Sequence, residues 1–323
     1  NLITRENGTV NLDIISYNDL LADNPAAKSS LENALLNTGI VGIRDVPQFE
    51  TVTRAYIDAA RKFSQLDNAV RQQYAPDRDA GHTEGYELGA EWFKNSKNEW
   101  QIDDKKASYY AFVPDHAKNI WPKEVDLKTP YLALGELIFN TGKILLDVMN
   151  LNHVVNLPHE VLSGYARMLH YHKENDSTNA HRDWCGAHLD HGIFTGLVPA
   201  YYFRHGIEVD EPEEAGLFIK PNNSDQFVKM NVPDKSILLF QVGEFGQLIS
   251  NDRIQATRHK VLKANGGIER FTYALFYNPT RDTVIKSTSS LTQDTRYQQN
   301  QASDGSISYG KWEDASYERY RAK

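Results

Sequence analysis

The chain has one cysteine, Cys185, in 323 residues. A single thiol closes no intrachain disulfide. That removes the disulfide-stapled secreted scaffolds, predicts a reducing compartment such as the cytoplasm, and excludes a structural zinc site built on several cysteines of this chain. Long uncharged apolar runs are also missing. The nearest, Tyr131 to Met149, is broken by Glu136, Asn140, Lys143 and Asp147 and so predicts an amphipathic helix, not a membrane span. The stretch Asn1 to Val10 has no basic end followed by an apolar core, so no signal peptide is expected there; with no initiator methionine, a removed leader is left open. Basic charge is in deficit, 35 Lys plus Arg against 43 Asp plus Glu for a net charge of -8. Nucleic acid and anionic membrane are therefore not expected partners. No repeat, low-complexity tract or Gly/Ser linker divides the chain.

What remains is an ordinary water-soluble composition, 40% hydrophobic and 24% charged, with a mean hydropathy of -0.57. Length alone suggests roughly two domains. Pattern argues for one. In the first half, Ser29 and Glu32 offer a capping box ahead of Leu31, Leu35 and Leu36, and Gly39 can end that helix before a strand over Ile40 to Val46. A second helix is expected from Glu50 to Leu66, and Thr129-Pro130 predicts the start of a third, with Leu134, Ile138, Leu145 and Val148 on its apolar face. From Tyr165 the period falls to two. Strand-like runs follow over Tyr165 to Tyr171, Ile193 to Val198, Gly216 to Lys220, Gln226 to Val232, Ser236 to Val242, Arg258 to Lys263 and Arg270 to Tyr277, separated by Gly, Pro, Asn and Asp. Such spacing predicts a sandwich or barrel with the helical half packed around it. The tail after Pro279 is polar, then aromatic at Tyr309, Trp312, Tyr317 and Tyr320, and reads as a closing helix or a lid.

Any metal here must be held by His and carboxylates. Two His-x-Asp triplets occur, His181-Arg182-Asp183 and His188-Leu189-Asp190. The first also spells the catalytic-loop triplet of kinases, but neither the Gly-rich loop nor the Asp-Phe-Gly of that class is present. In an extended segment from Gly186 to Gly196, His188 and Asp190 point to one face. They make two-thirds of the facial triad of two histidines and one carboxylate that holds non-haem Fe(II) with three positions open. His259, alternating with Thr257 and Val261, is the candidate third ligand. Arg270 alternates with Thr272 and Ala274; an inward arginine meets either a ligand carboxylate or an internal acid, and both readings stay open. His170 and His172 read as packing residues ahead of a second metal site. His181, Asp183, His191 and Cys185 read as solvated loop residues ahead of supports for the metal ligands.

Taken in order, His188-Leu189-Asp190-His191-Gly192, Gly216-Leu217-Phe218-Ile219, Gln241-Val242-Gly243-Glu244, Gln247-Leu248-Ile249-Ser250-Asn251, Arg258-His259-Lys260-Val261 and Arg270-Phe271-Thr272 resemble the isopenicillin N synthase-like, Fe(II)/2-oxoglutarate-dependent dioxygenases. The first half resembles the same family in Ser29 to Val46, in Glu84-Gly85-Tyr86 with Gly89 and Glu91, and in Asn119-Ile120-Trp121-Pro122. The resemblance covers roughly Val10 to Pro279. It implies an α+β, mainly β fold: a double-stranded β-helix, or jelly-roll barrel, inside a single catalytic domain 1–323. A helical N-terminal region (1–150) would pack around the oxygenase core (151–280), with a C-terminal tail (281–323) as a possible lid. It further implies iron on His188, Asp190 and His259, and the distal carboxylate of 2-oxoglutarate on Arg270 and Thr272, with Tyr171 as a further contact.

The expected reaction is hydroxylation or another oxidation of a C–H bond of a small molecule, using Fe(II), O2 and 2-oxoglutarate and releasing succinate and CO2. Asp190 argues against halogenation, because halogenating relatives replace that carboxylate. The alternatives are an isopenicillin N synthase-type oxidase or cyclase that uses Fe(II) and O2 without 2-oxoglutarate, a non-catalytic small-molecule-binding relative, and a zinc hydrolase on the same triad. A monomer or weak homo-oligomer is expected. The acidic end of Pro199 to Glu214 (Glu208, Asp210, Glu211, Glu213, Glu214) reads as solvated loop charge, with a lid favouring a polar or cationic substrate as the second reading.

Overall fold

The computed structural model describes residues 5–6, 8–89, 92–94, 97–102, 105–152, 163–173, 183–222 and 224–321. Between residues 163 and 278 the described residues form ten strands: β1 (Ser163–Tyr171), β2 (Asp183–His188), β3 (Phe194–Leu197), β4 (Tyr201–Arg204), β5 (Ile207–Val209), β6 (Gly216–Lys220), β7 (Val228–Asn231), β8 (Leu238–Val242), β9 (Arg258–Leu262) and β10 (Ile268–Asn278). They form two facing sheets of a double-stranded β-helix. The smaller sheet runs Arg5–Glu6, Thr9–Asn11, β7, β6, β9, β2. The larger runs Ile14–Ser16, Ile40–Arg44, β8, β3, β10, β1, Lys106–Val113, Gly85–Leu88, with the β4–β5 hairpin joined to the start of β10.

The period-two pattern explains how this arrangement makes both a core and a cavity. On β10, Arg270, Thr272, Ala274 and Phe276 face the space between the sheets, while Phe271, Tyr273, Leu275 and Tyr277 enter the main hydrophobic core. That core lies between the back of the large sheet and two helices, α2 (Phe49–Ser64) and α3 (Lys128–Val148). Three of its buried phenols find backbone acceptors: Tyr56 donates to the Thr272 carbonyl at 2.8 Å, Tyr131 to that of Tyr109 at 2.8 Å and Tyr273 to that of Tyr131 at 3.0 Å. Each such aromatic contributes about 1.5–3 kcal/mol by burial. The helices thereby fix the strand that presents Arg270 and Thr272.

Three expectations change. The first helix, α1 (Pro25–Asn37), starts before the Ser29–Glu32 pair, because Asn24 caps it by accepting from the Ala26 and Ala27 amides and Pro25 occupies its first turn. Its end is as read: Gly39 adopts φ +69°, and a Cβ there would meet Thr257 Oγ1 at 2.0 Å. At the start of α3, Asp126 rather than Thr129 supplies the capping oxygen, accepting from the Thr129 amide at 3.1 Å. Finally, the helical first half also lends strands to the large sheet, of which only Ile40–Arg44 carries a readable apolar run. Lys106–Val113 is buried on both faces and so shows no clean alternation.

The tail packs against the core. Its helix α5 (Tyr309–Arg321) buries Trp312, whose indole donates to the His191 carbonyl at 3.1 Å. Arg296 makes a buried two-pronged ion pair with Glu244, at 2.9 and 2.6 Å, at the start of the short helix α4 (Glu244–Ile249).

Candidate metal centre and cavity

Strand register brings the distant histidines together. β2 and β9 are antiparallel neighbours, and His188 stands directly opposite His259, with ring centroids 4.3 Å apart. Asp190 is not on the same strand, as the extended reading required. β2 ends at His188 and the chain bends over 189–193. The bend is held from behind. The Glu244 amide donates to the Asp190 carbonyl at 2.7 Å, and Gly243 packs so close that a Cβ on it would meet the Gly192 carbonyl oxygen at 2.1 Å.

The side chains converge on one point. His188 Nε2 lies 3.2 Å and His259 Nε2 3.7 Å from the same oxygen, Asp190 Oδ1. All three donor atoms fall within 4.8 Å of one another, the one such group among the described residues. At metal–ligand lengths of about 2.1 Å, adjacent ligands of one ion stand about 3 Å apart, so the trio fits a small divalent cation. Backbone and side-chain bonds orient two of the donors. His259 Nδ1 lies 3.1 Å from the Thr257 carbonyl and donates to it, which turns the Nε2 lone pair inward. Thr195 Oγ1 donates to Asp190 Oδ2 at 2.7 Å, leaving Oδ1 facing the two imidazoles. Burial pushes the Asp190 carboxyl up, but His259, His188 and Thr195 outweigh it and hold the group well below the usual carboxylate range. Burial and His188 outweigh Asp190 and bring the His259 imidazole down to about 4. One anion and a neutral His259 are the protonation states a metal needs.

A cavity of about 620 Å³ opens on this centre, lined from both sheets. Arg270, Thr272 and Tyr171 all line it, together with the three donors. Arg270 is 7% exposed. Its Nε donates to Tyr202 Oη at 3.3 Å, and its guanidinium lies 5.2 Å from the Tyr171 ring centroid. Burial works against its charge, but Tyr202, Tyr171 and Glu211 prevail and raise its pKa. Among the described residues no carboxylate forms an ion pair with it, so of the two readings of Arg270 the internal acid is not seen. The Thr272 hydroxyl donates to the Val198 carbonyl at 2.9 Å.

Other candidates separate from the centre. His170 stacks on Phe271 with centroids 4.2 Å apart, and its Nε2 lies 2.7 Å from Glu269, a packing role on the back of the sheet. The His191 ring packs on Tyr317. Asp183 and Cys185 are placed only as backbone of β2, and His181, Arg182 and Glu91 lie outside the described residues. The acidic segment is not a free loop. It carries the β4–β5 hairpin, Glu208 is clasped between Arg54 at 2.8 Å and Lys235 at 2.6 Å, and Glu211 meets Tyr202 at 2.9 Å and Lys229 at 3.3 Å. Glu208, Asp210 and Glu211 nevertheless line the cavity, so the segment borders the space a substrate would enter. Sequence reasoning missed Thr195, Tyr202, Lys106 and any role for Gln241. Thr195 and Gln241 sit at alternating positions of short strands, where only cross-strand register marks them.

Residues 147–279 match the 2OG-Fe(II) oxygenase superfamily. No curated protein matches the chain in sequence. Solved structures do match in fold. A full-length Neurospora crassa protein in complex with alpha-KG superposes with a TM-score of 0.71 at 18% identity, covering 99% of this chain and 98% of that one. The same protein with alpha-KG and thymine gives 0.69 at 18% identity, over 100% and 99%. A 2OG-Fe(II) oxygenase family protein from Caulobacter crescentus gives 0.70 at 20% identity, over 95% and 98%.

Proposed function

We propose that this protein, a member of the Fe(II)/2-oxoglutarate-dependent dioxygenase family, oxidises a C–H bond of a small molecule with His188, Asp190 and His259 holding the iron. The observation that carries the reading is the convergence of two imidazole Nε2 atoms on one carboxylate oxygen, with the other oxygen retained by Thr195. Three protein donors leave room on the ion for a chelating 2-oxo acid and O2. Bound there, Fe(II) supplies the redox chemistry by which O2 and 2-oxoglutarate become succinate, CO2 and one oxygen atom delivered to the substrate.

The chain's own residues bind, orient and exclude water. Arg270 offers a planar fork to the distal carboxylate, which is worth more in this buried setting than in water. Thr272 lies two residues on, on the same face, and its hydroxyl rotates from Val198 to join that contact. Tyr171 forms the aromatic wall beside it. Leu217, Met230, Leu239 and Val261 supply an apolar part of the cavity wall, beside charged residues such as Lys106 and Arg167. The volume suits a small molecule, and a fold relative holds one of the size of thymine.

The test is succinate formation from 2-oxoglutarate with Fe(II) under air. Wild-type protein should form succinate, slowly even without substrate, and Asp190→Ala and His259→Ala should lose Fe(II) binding and all turnover. No consumption of 2-oxoglutarate by Fe(II)-loaded wild type under any condition overturns the reading.

A further inference from the structure

Gln241 is a polar side chain of the cavity floor with no role so far. It belongs to β8 and pairs in register with Thr195 on β3, which in turn stands opposite Phe276 on β10. These three make a row across the large sheet at the metal end, since Thr195 is the residue that holds Asp190. Arg270 lies three alternations away along β10, about 20 Å of strand. Gln241 lines the cavity, is 4% exposed, and its Nε2 is buried with no hydrogen-bond partner among the described residues.

The two hydroxyls of the floor are satisfied inside the protein. Thr195 donates to Asp190 and Thr272 to Val198. A buried amide N–H without an acceptor is unfavourable, and where it lines a cavity it calls for a ligand acceptor. Two ligands share this cavity under the reading above. A bound 2-oxo acid puts its distal carboxylate at Arg270 and its carboxylate–keto end at the metal. Cross-strand neighbours are about 5 Å apart, so Gln241 starts one strand from the metal carboxylate's anchor and far from Arg270.

We propose that the Gln241 side-chain amide donates a hydrogen bond to the metal-side carboxylate of the 2-oxo acid cosubstrate. This rests on the Fe(II)/2-oxoglutarate reading and adds a contact at the end opposite Arg270. Donation to a carboxylate is charge-assisted, which makes it one of the stronger contacts available to a neutral side chain.

The experiment is an anaerobic binding titration, without turnover. Fe(II)-loaded protein is titrated with 2-oxoglutarate or with 2-oxobutanoate, which keeps the 2-oxo acid end and lacks the distal carboxylate, and the charge-transfer absorption of the chelate is followed. Gln241→Leu should weaken both acids by the same factor, about tenfold. Gln241→Glu, nearly isosteric, should weaken both further through repulsion and serves if the leucine variant folds poorly. Both variants should keep wild-type Fe(II) affinity. Arg270→Leu, in contrast, should weaken 2-oxoglutarate alone. Unchanged binding of both acids in the Gln241 variants overturns the proposal, as does weakening confined to 2-oxoglutarate or accompanied by loss of Fe(II). Wild type that binds neither acid overturns the cosubstrate reading itself, a result distinct from the other three.

Discussion

The two ends of the cavity are built on different plans. At the metal end the groups around the triad are bonded before any ligand arrives, His259 to Thr257, Asp190 to Thr195 and the Asp190 carbonyl to the Glu244 amide, and the Gln241 amide nitrogen is the exception. At the other end Arg270 has one long hydrogen bond to Tyr202, an aromatic ring beside it and no ion pair among the described residues, while Thr272 is turned onto the backbone. The first end presents three donor atoms already oriented by neighbouring groups. The second is a cation among aromatics whose best partner is an anion brought from outside. The difference teaches that metal and cosubstrate affinity should be separable by mutation, although both groups share one space.

The largest separation is expected from Arg270→Leu. Loss of a charge-assisted, two-pronged contact in a buried setting should raise the 2-oxoglutarate Kd about a hundredfold, with Fe(II) affinity unchanged. Calorimetry with Mn(II) and then 2-oxoglutarate measures both. Equal losses on both ligands would show that the two ends are one cooperative unit and break the comparison.

Thr195→Val should act in the opposite sense and more weakly. Valine keeps the shape but releases Asp190 Oδ2, so the carboxylate is no longer oriented. A supporting residue of this kind is worth about tenfold in metal affinity. At saturating metal, 2-oxoglutarate binding should be as in wild type. A variant that bound metal normally would show that the bend at 189–193 alone orients Asp190.

Legibility in the sequence follows the same division. Arg270 and Thr272 could be read because alternation places them on one face of a long strand whose other face is aromatic. His188 and His259 could be nominated as residue types, but their meeting depends on the β2–β9 register, and a period-two pattern leaves that offset open. The position of Asp190 was read on the wrong element, since the bend comes from the approach of Gly192 to Gly243, which no local pattern announces. Thr195 and Gln241 were illegible as site residues for the same reason. They gain meaning only from the strands beside them. In the first half, helices were visible because a 3.6-residue stripe persists for several turns, whereas strands of three to five residues are too short to show a period.

The smallest effect concerns pH and the strand that forms the cosubstrate end. Just beyond β1, His172 packs at 4.0 Å between ring centroids on His170, and its Nε2 is buried with no hydrogen-bond partner among the described residues. Burial first, then His170, Arg71 and Lys105, bring its pKa down to about 3. The unfolded chain takes up a proton on this residue near pH 6.5, and the folded chain does not until about pH 3. Between those values the unfolded state binds more protons, so stability must fall as pH falls through that window. Because His172 is only partly buried, the expected loss is about 1 kcal/mol. His172→Phe should flatten the acid limb of a Tm-against-pH curve between pH 6.5 and 4. It should leave metal affinity at neutral pH untouched, because the imidazole lies beyond the Tyr171 end of β1 and away from the bend that carries Asp190. If metal affinity fell together with acid stability, the strand end and the triad would be mechanically coupled, and the separation of the two ends would hold for binding chemistry but not for folding.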